Sequence, residues 1–168
     1  LPVFETLYGR WIPLLSTFDK FGQPRGSALS IVHIYEDVYK GSSWAFCGLD
    51  NPDYLFKRKE SPSLVAGIID ELTVRTFLHD FHSEYAFYEK NETPKFITKI
   101  TNSGKKTRRV AITFSVSDGK NTVYTSPGET VSVNAGETVE ASAVWNAPSF
   151  STDYYVISAR IEGDGVSD

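Results

Sequence analysis

"RRVAITFSVSDGKN", residues 108–121, is the stretch whose reading decides the fold. Val110, Ile112, Phe114 and Val116 recur at every second position, and the run stops at Asp118-Gly119. Successive side chains of a strand point to opposite faces, so this period puts four apolar groups on one face, and Asp-Gly is a favoured hairpin turn. The flanking segments carry the same signature. "KFITKITNSG" (95–104) alternates Phe96, Thr98 and Ile100 against Ile97, Lys99 and Thr101, then breaks at Asn102-Ser103-Gly104. "TVYTSPGETVSVNAGETVEASAVW" (122–145) repeats Gly-Glu-Thr at 128–130 and 136–138, each leading into a new strand. "DYYVISARIEG" (153–163) alternates Tyr155, Ile157, Ala159 and Ile161, and "SEYAFYEKNE" (83–92) reads as a further strand with Tyr85 and Phe87 on one side. Short strands separated by turn residues at such spacings describe a β-sandwich. With Cys47 as the only cysteine, the sandwich is immunoglobulin-like in architecture and lacks the antibody-type disulfide.

Residues 1–82 have a mixed texture. "YGRWIPLLSTFD" (8–19) is apolar and ends in a turn, and "GSALSIVHIYE" (26–36) has bulky apolar groups on both faces, which predicts a strand covered on both sides. "SSWAFCGL" (42–49) is a third strand. A helix is expected over 62–78, with Ser61 as N-cap, Pro62 in the first turn and an apolar stripe of Leu64, Ile68 and Leu72 beside Val65 and Ile69. Gly67 weakens that helix by about 1 kcal/mol relative to alanine, so packing must hold it. The predicted fold class is therefore mostly β with an α+β N-terminal unit: a small antiparallel sheet with one helix (1–82), followed by an immunoglobulin-like β-sandwich (83–168). The first unit is expected to pack tightly on the sandwich or on other parts of a longer parent protein.

Composition narrows the function classes. The chain has 168 residues, 40% hydrophobic, 23% charged and 14% aromatic, with a net charge of −4. Those values fit a globular chain with a β-rich core or a surface that stacks on flat ligands. The acidic balance argues against nucleic acid, since phosphate binding needs concentrated positive charge. The basic run Lys105-Lys106-Thr107-Arg108-Arg109 follows Ser103-Gly104 and reads as a solvated turn. No apolar run reaches the roughly 18 residues a membrane helix needs. The absence of methionine and the start at Leu1 suggest a piece of a longer protein.

"YKGSSWAFCGLD" (39–50) raises a chemical question, because one substitution would turn it into the signature around a papain-type nucleophile, with Ser43 in the cysteine's place. That nucleophile starts a long helix, whereas here Asn51-Pro52 follows within eight residues. The later histidines, His79 and His82, lie too near in sequence for a partner expected about 130 residues downstream. The segment also lacks the Gly-x-Ser-x-Gly of a hydrolase elbow, having Ala45 at the closing position.

A different likeness covers the whole chain. "GRWIPLLSTFDKFGQPRG" (9–26) and "GSSWAFCGLDNPDYLF" (41–56), followed by a helix and a sandwich, resemble a segment of large bacterial glycoside hydrolases. The sandwich half resembles the immunoglobulin-like and fibronectin-like spacers of cell-surface carbohydrate enzymes. The resemblance implies a non-catalytic accessory role in carbohydrate metabolism, a secreted, periplasmic or cell-surface location, and the remainder of the parent polypeptide as partner. No catalytic residue carries over.

Individual residues then have two readings each. Trp44 and Phe46 could form a sugar-stacking platform, but core filling between sheet and helix is the favoured reading. Trp11 beside Arg10, and Tyr54, are further stacking candidates, while Trp145 is expected to pack in the sandwich. "HDFH" (79–82) has a spacing that could clasp a metal with Asp80 or Glu84, yet it reads as an ordinary linker. His33 reads as a buried, hydrogen-bonded core residue. Glu36 and Asp37 diverge from one another, and Asp50, Asn51 and Asp53 read as a capping turn that lacks the rest of a calcium loop. No metal and no cofactor is assigned. Two alternatives to the accessory role stay open: a carbohydrate-binding module that takes a polysaccharide on Trp11, Trp44 or Tyr54, and the tail of a larger α/β enzyme domain plus a spacer. The last predicts unpaired sheet edges and an exposed apolar patch.

Overall fold

The computed structural model describes residues 4–5, 9–51, 53–89, 92–146, 150, 152, 154–163 and 166–167. It divides into two compact units, Leu1–Val74 and Arg75–Asp168. The chain is mostly β, as the period-two pattern predicts.

The first unit is an antiparallel sheet in the order β1 (Phe4–Glu5), β2 (Gly9–Phe18), β3 (Pro24–Ile34), β4 (Ser43–Cys47). Two helices follow, the single-turn α1 (Asp53–Phe56) and α2 (Ser61–Thr73). Asp19 shapes the β2–β3 turn: one carboxylate oxygen accepts the backbone N–H groups of Phe21 and Gln23 at 2.8 and 2.9 Å, and the other meets Arg25 at 2.7 Å. Those backbone hydrogen bonds favour the ionised form, and the Asp19 carboxyl is held below its usual range, chiefly by Gln23. At Gly9 the strands approach so closely that a Cβ would sit 2.7 Å from the His33 carbonyl oxygen.

Register settles which side chains share a face. Arg10 pairs with His33 and His33 with Ser43, whereas the next row is Trp11, Val32 and Trp44. Paired residues of an antiparallel sheet point the same way, so the two rows lie on opposite faces. α2 packs against β3 and β4, and Ile12, Leu29, Ile31 and His33 are buried beneath it. On the other face of β3, Ser30 is buried and Val32 and Ile34 are partly buried. Over 27–34 that strand is thus shielded on both sides, more completely on the face where α2 lies.

α2 begins at Ser61 with proline in its first turn, but its N-cap is Glu60, and the Ser61 hydroxyl accepts from the Arg58 N–H at 3.1 Å. The helix ends at Thr73 and not at 78, since Val74 leaves helical geometry with ψ 126°. Thr76–Ser83 then forms β5. The stretch 84–89 contains no strand; the strand expected there lies earlier, over "TFLHDFHS". Its alternation is masked by an irregularity between His79 and His82, with Asp80 at φ 54°.

The second unit has two sheets. One has the order β10 (Thr138–Val144), β6 (Lys95–Asn102), β5. The other runs β12 (Val166–Ser167), β11 (Val156–Gly163), β7 (Arg108–Ser117), β8 (Thr122–Thr125), with β9 (Glu129–Val133) also on β7. Leu78, Phe96 and Ile100 from the first meet Val110, Ile112, Phe114, Val116 and Ile161 from the second in one buried cluster, which makes this a β-sandwich. Trp145 packs in that cluster, as read from the sequence. Asn102 is wholly buried and ties the β6–β7 connection to the end of β9: its amide nitrogen donates to the Lys106 and Val133 carbonyls at 2.8 and 2.9 Å, and its side-chain oxygen accepts from the Gly104 N–H at 3.0 Å.

Candidate functional site

The two rows of the first unit give its sheet two chemically different faces. On the helix side, His33 Nδ1 lies 2.8 Å from Ser43 Oγ and Nε2 lies 3.0 Å from Glu71 Oε1. The approach has a local cause. Ile34 N–H donates to the Ser42 carbonyl, so His33 and Ser43 form the adjacent non-hydrogen-bonded pair, where cross-strand side chains come closest. Glu71 reaches them because it interrupts the inward stripe of α2, seven residues after Leu64. A carboxylate only accepts, so Nε2 carries a proton and donates to Glu71; Nδ1 accepts from the Ser43 hydroxyl when the ring is neutral and donates to it when the ring is protonated. The hydrogen bond from His33 holds the Glu71 carboxyl below its usual range, with smaller help from the charges of His33 and Arg10.

A hydroxyl, an imidazole and a carboxylate in line are the residue types of a nucleophilic triad. Here the line joins β3, β4 and α2 through a completely buried ring, so its evident work is to hold the helix on the sheet. The sequence reading treated Ser43 and His33 separately and missed Glu71. The signals were present: His33 and Ser43 stand ten residues apart across a hairpin, and Glu71 occupies an apolar stripe.

The opposite face carries the aromatic row. Trp44 is 46% exposed and Phe46 50% exposed, which corrects the expectation that they fill the core. The reason is topological: β4 is an edge strand of the described sheet, and α2 packs on the other face. The Trp44 and Phe46 rings stack with centroids 6.0 Å apart and planes 28° from parallel, and exposed Tyr39 meets Trp44 edge-on at 5.9 Å. Trp11 shares the Trp44 row two strands away and is half-buried. The Tyr54 side chain lies outside the described residues. The structure thus brings Trp11 and Trp44 to one face, joined by Phe46 and Tyr39.

Other sequence candidates fall elsewhere. His79 and His82 lie on β5 and not in a linker; His79 is buried with Nε2 2.7 Å from the Thr101 hydroxyl. His82 turns instead to Asp80, whose carboxyl is held low chiefly by its hydrogen bond from Lys99. In the turn before α1, Asn51 accepts the Asp53 N–H at 2.9 Å, while Asp53 pairs with Lys57. Among the described residues no group of three or more His, Cys, Asp or Glu side chains is placed to hold a metal, and no helix is long and apolar enough to cross a membrane.

No protein-family model matches the chain, and no curated protein matches it. Among solved structures, 56% of the chain is similar to 10% of a β-glucuronidase from glycoside hydrolase family 2, at 19% identity and a TM-score of 0.39. A second likeness covers 69% of the chain and 34% of the Pseudomonas fluorescens alkylpurine DNA glycosylase AlkC bound to DNA containing an abasic site analogue, at 8% identity and a TM-score of 0.42. The chain thus spans about a tenth of the first protein and about a third of the second, and neither likeness is strong enough to assign an activity.

Proposed function

We propose that the chain is a non-catalytic accessory segment of a secreted, periplasmic or cell-surface carbohydrate-active enzyme, and that the first unit holds a saccharide on its aromatic face. The observation that carries this reading is the exposed, near-parallel Trp44–Phe46 pair with Tyr39 against its edge. Burying such rings is favourable by area, so leaving them open on a rigid strand supports a role in binding. A pyranose presents a flat C–H face that matches stacked rings, while its hydroxyls stay in water. Cross-strand pairing to β3 keeps the platform rigid, which reduces the entropy lost on binding.

The test is a titration with soluble polysaccharides, read by tryptophan fluorescence in the wild type and in Trp44→Ala. Saturable change in the wild type, weakened at least tenfold in the variant, is the expected result; about 1.4 kcal/mol corresponds to that factor. A flat response of the wild type across neutral and acidic polysaccharides would overturn the reading.

One observation favours a second reading, in which β4 is a seam against the remainder of the parent polypeptide. Ala45 and Cys47, on the face opposite Trp44 and Phe46, are exposed as well, and a sugar platform needs only one face. In that case the longer polypeptide would protect β4 amides from hydrogen exchange, and the wild-type chain would bind no saccharide.

A further inference from the structure

The second unit contains a cleft that none of the sequence reasoning anticipated. It lies where the loop after β5 meets Trp145, Phe150 and Tyr155, and has a volume of about 680 Å³, within the range of ordinary small-molecule sites. Phe96 and Trp145 line it and belong to the buried core. The Tyr155 ring stands edge-on to Trp145 with centroids 5.0 Å apart, and Phe150 does the same at 5.8 Å. Phe87 and Tyr154, also lining the cleft, are 90% and 67% exposed. The lining therefore includes both buried core rings and exposed ones.

The chemistry of the lining limits the occupant. The described lining residues include no Asp, Glu, Lys or Arg, so nothing among them would neutralise a charged ligand, and burying an uncompensated charge is costly. Hydroxyl-bearing residues (Ser83, Tyr88, Thr152, Tyr154, Tyr155) also line the cleft, and the Ser83 and Tyr88 hydroxyls already donate to the Tyr85 and Lys95 carbonyls. A purely apolar ligand would desolvate the Thr152 and Tyr154 hydroxyls without offering them hydrogen bonds. A neutral molecule with flat C–H faces and peripheral hydroxyls satisfies both halves of the lining.

We propose that this cleft is a second binding site, which takes a neutral saccharide residue with its ring between the aromatic walls. It stands on different residues from the Trp44 platform and does not depend on it. Trp145 makes the site addressable, because the chain has three tryptophans, Trp11, Trp44 and Trp145. The first two report on the platform row and the third on the cleft.

The experiment is an NMR titration of the indole N–H signals, using cellopentaose and mannopentaose as neutral probes and a galacturonic acid oligomer as the anionic one. The expected result is a saturable shift of the Trp145 signal with a neutral probe, undiminished in Trp44→Ala and weakened at least tenfold in Phe87→Ala/Tyr154→Ala. Both replaced rings are exposed, so that variant keeps its fold, which the dispersion of its remaining signals checks. A Trp145 signal unmoved by either neutral probe at about 10 mM, where even a millimolar site fills, overturns the proposal. A shift caused by the uronate alone overturns it too. A moving Trp44 signal beside a still Trp145 leaves the platform standing and removes the cleft; the reverse removes the platform.

Discussion

The hydrogen-bond line from Ser43 through His33 to Glu71 makes a quantitative demand on stability. His33→Ala removes a fully buried ring and strands two partners, which predicts a loss of about 2–4 kcal/mol from cavity formation and broken hydrogen bonds. Glu71→Ala removes a carboxylate whose side chain is 35% exposed. A hydrogen bond to a charged group contributes about 1.5–3 kcal/mol when shielded, and partial solvation lowers that to about 1 kcal/mol here. The double variant isolates the pair: its cost should fall short of the summed single costs by about 1 kcal/mol, well beyond the usual additivity error. Urea unfolding followed by fluorescence measures this, with Trp11 and Trp44 reporting from the same unit.

The acid side adds a sign. Glu71 has its folded-state pKa lowered from 4.5, so its contribution is complete above the unfolded value and disappears as pH falls through the folded one. The difference between wild type and Glu71→Ala should therefore be full at about pH 7 and shrink as the pH falls below 4.5. Purely additive variants, or a difference that grows on acidification, would refute the idea that this line fastens α2 to the sheet.

Three further outcomes follow from packing. Trp44→Ala, at an exposed edge position, should change stability by no more than about 0.5 kcal/mol in thermal unfolding while weakening saccharide binding. Gly9→Ala forces a Cβ against the His33 carbonyl at 2.7 Å, so β2 and β3 must part, and a loss of about 1–3 kcal/mol is expected in urea. Asn102→Ala leaves the carbonyls of Lys106 and Val133 and the Gly104 N–H without their side-chain partner, with an expected loss of about 2–4 kcal/mol read from circular dichroism of the sandwich.

Much of the architecture was legible in local pattern. The alternation of Val110, Ile112, Phe114 and Val116 specified an inward face, and all four are buried; the repeated turn residues divided the remaining strands correctly from β6 onward. Period-two burial is a one-dimensional property, so one dimension suffices to read it. The misreadings share a different cause. "SSWAFC" has the same letters whether its aromatic face is covered or open, and only the placement of α2 on the other face leaves Trp44 and Phe46 to solvent. "TFLHDFHS" hid a strand because an irregularity at Asp80 broke its alternation.

The sequence by itself determined that the chain is mostly β and where most strands begin and end. Tertiary structure alone decided which residues meet. It set Glu71 against His33 across 38 positions and turned the Trp44 ring outward. It also drew Phe87, Trp145 and Tyr154 around one cleft. Strand formation depends on neighbours along the chain, whereas a site depends on neighbours in space, and those are set by register, helix placement and loop path.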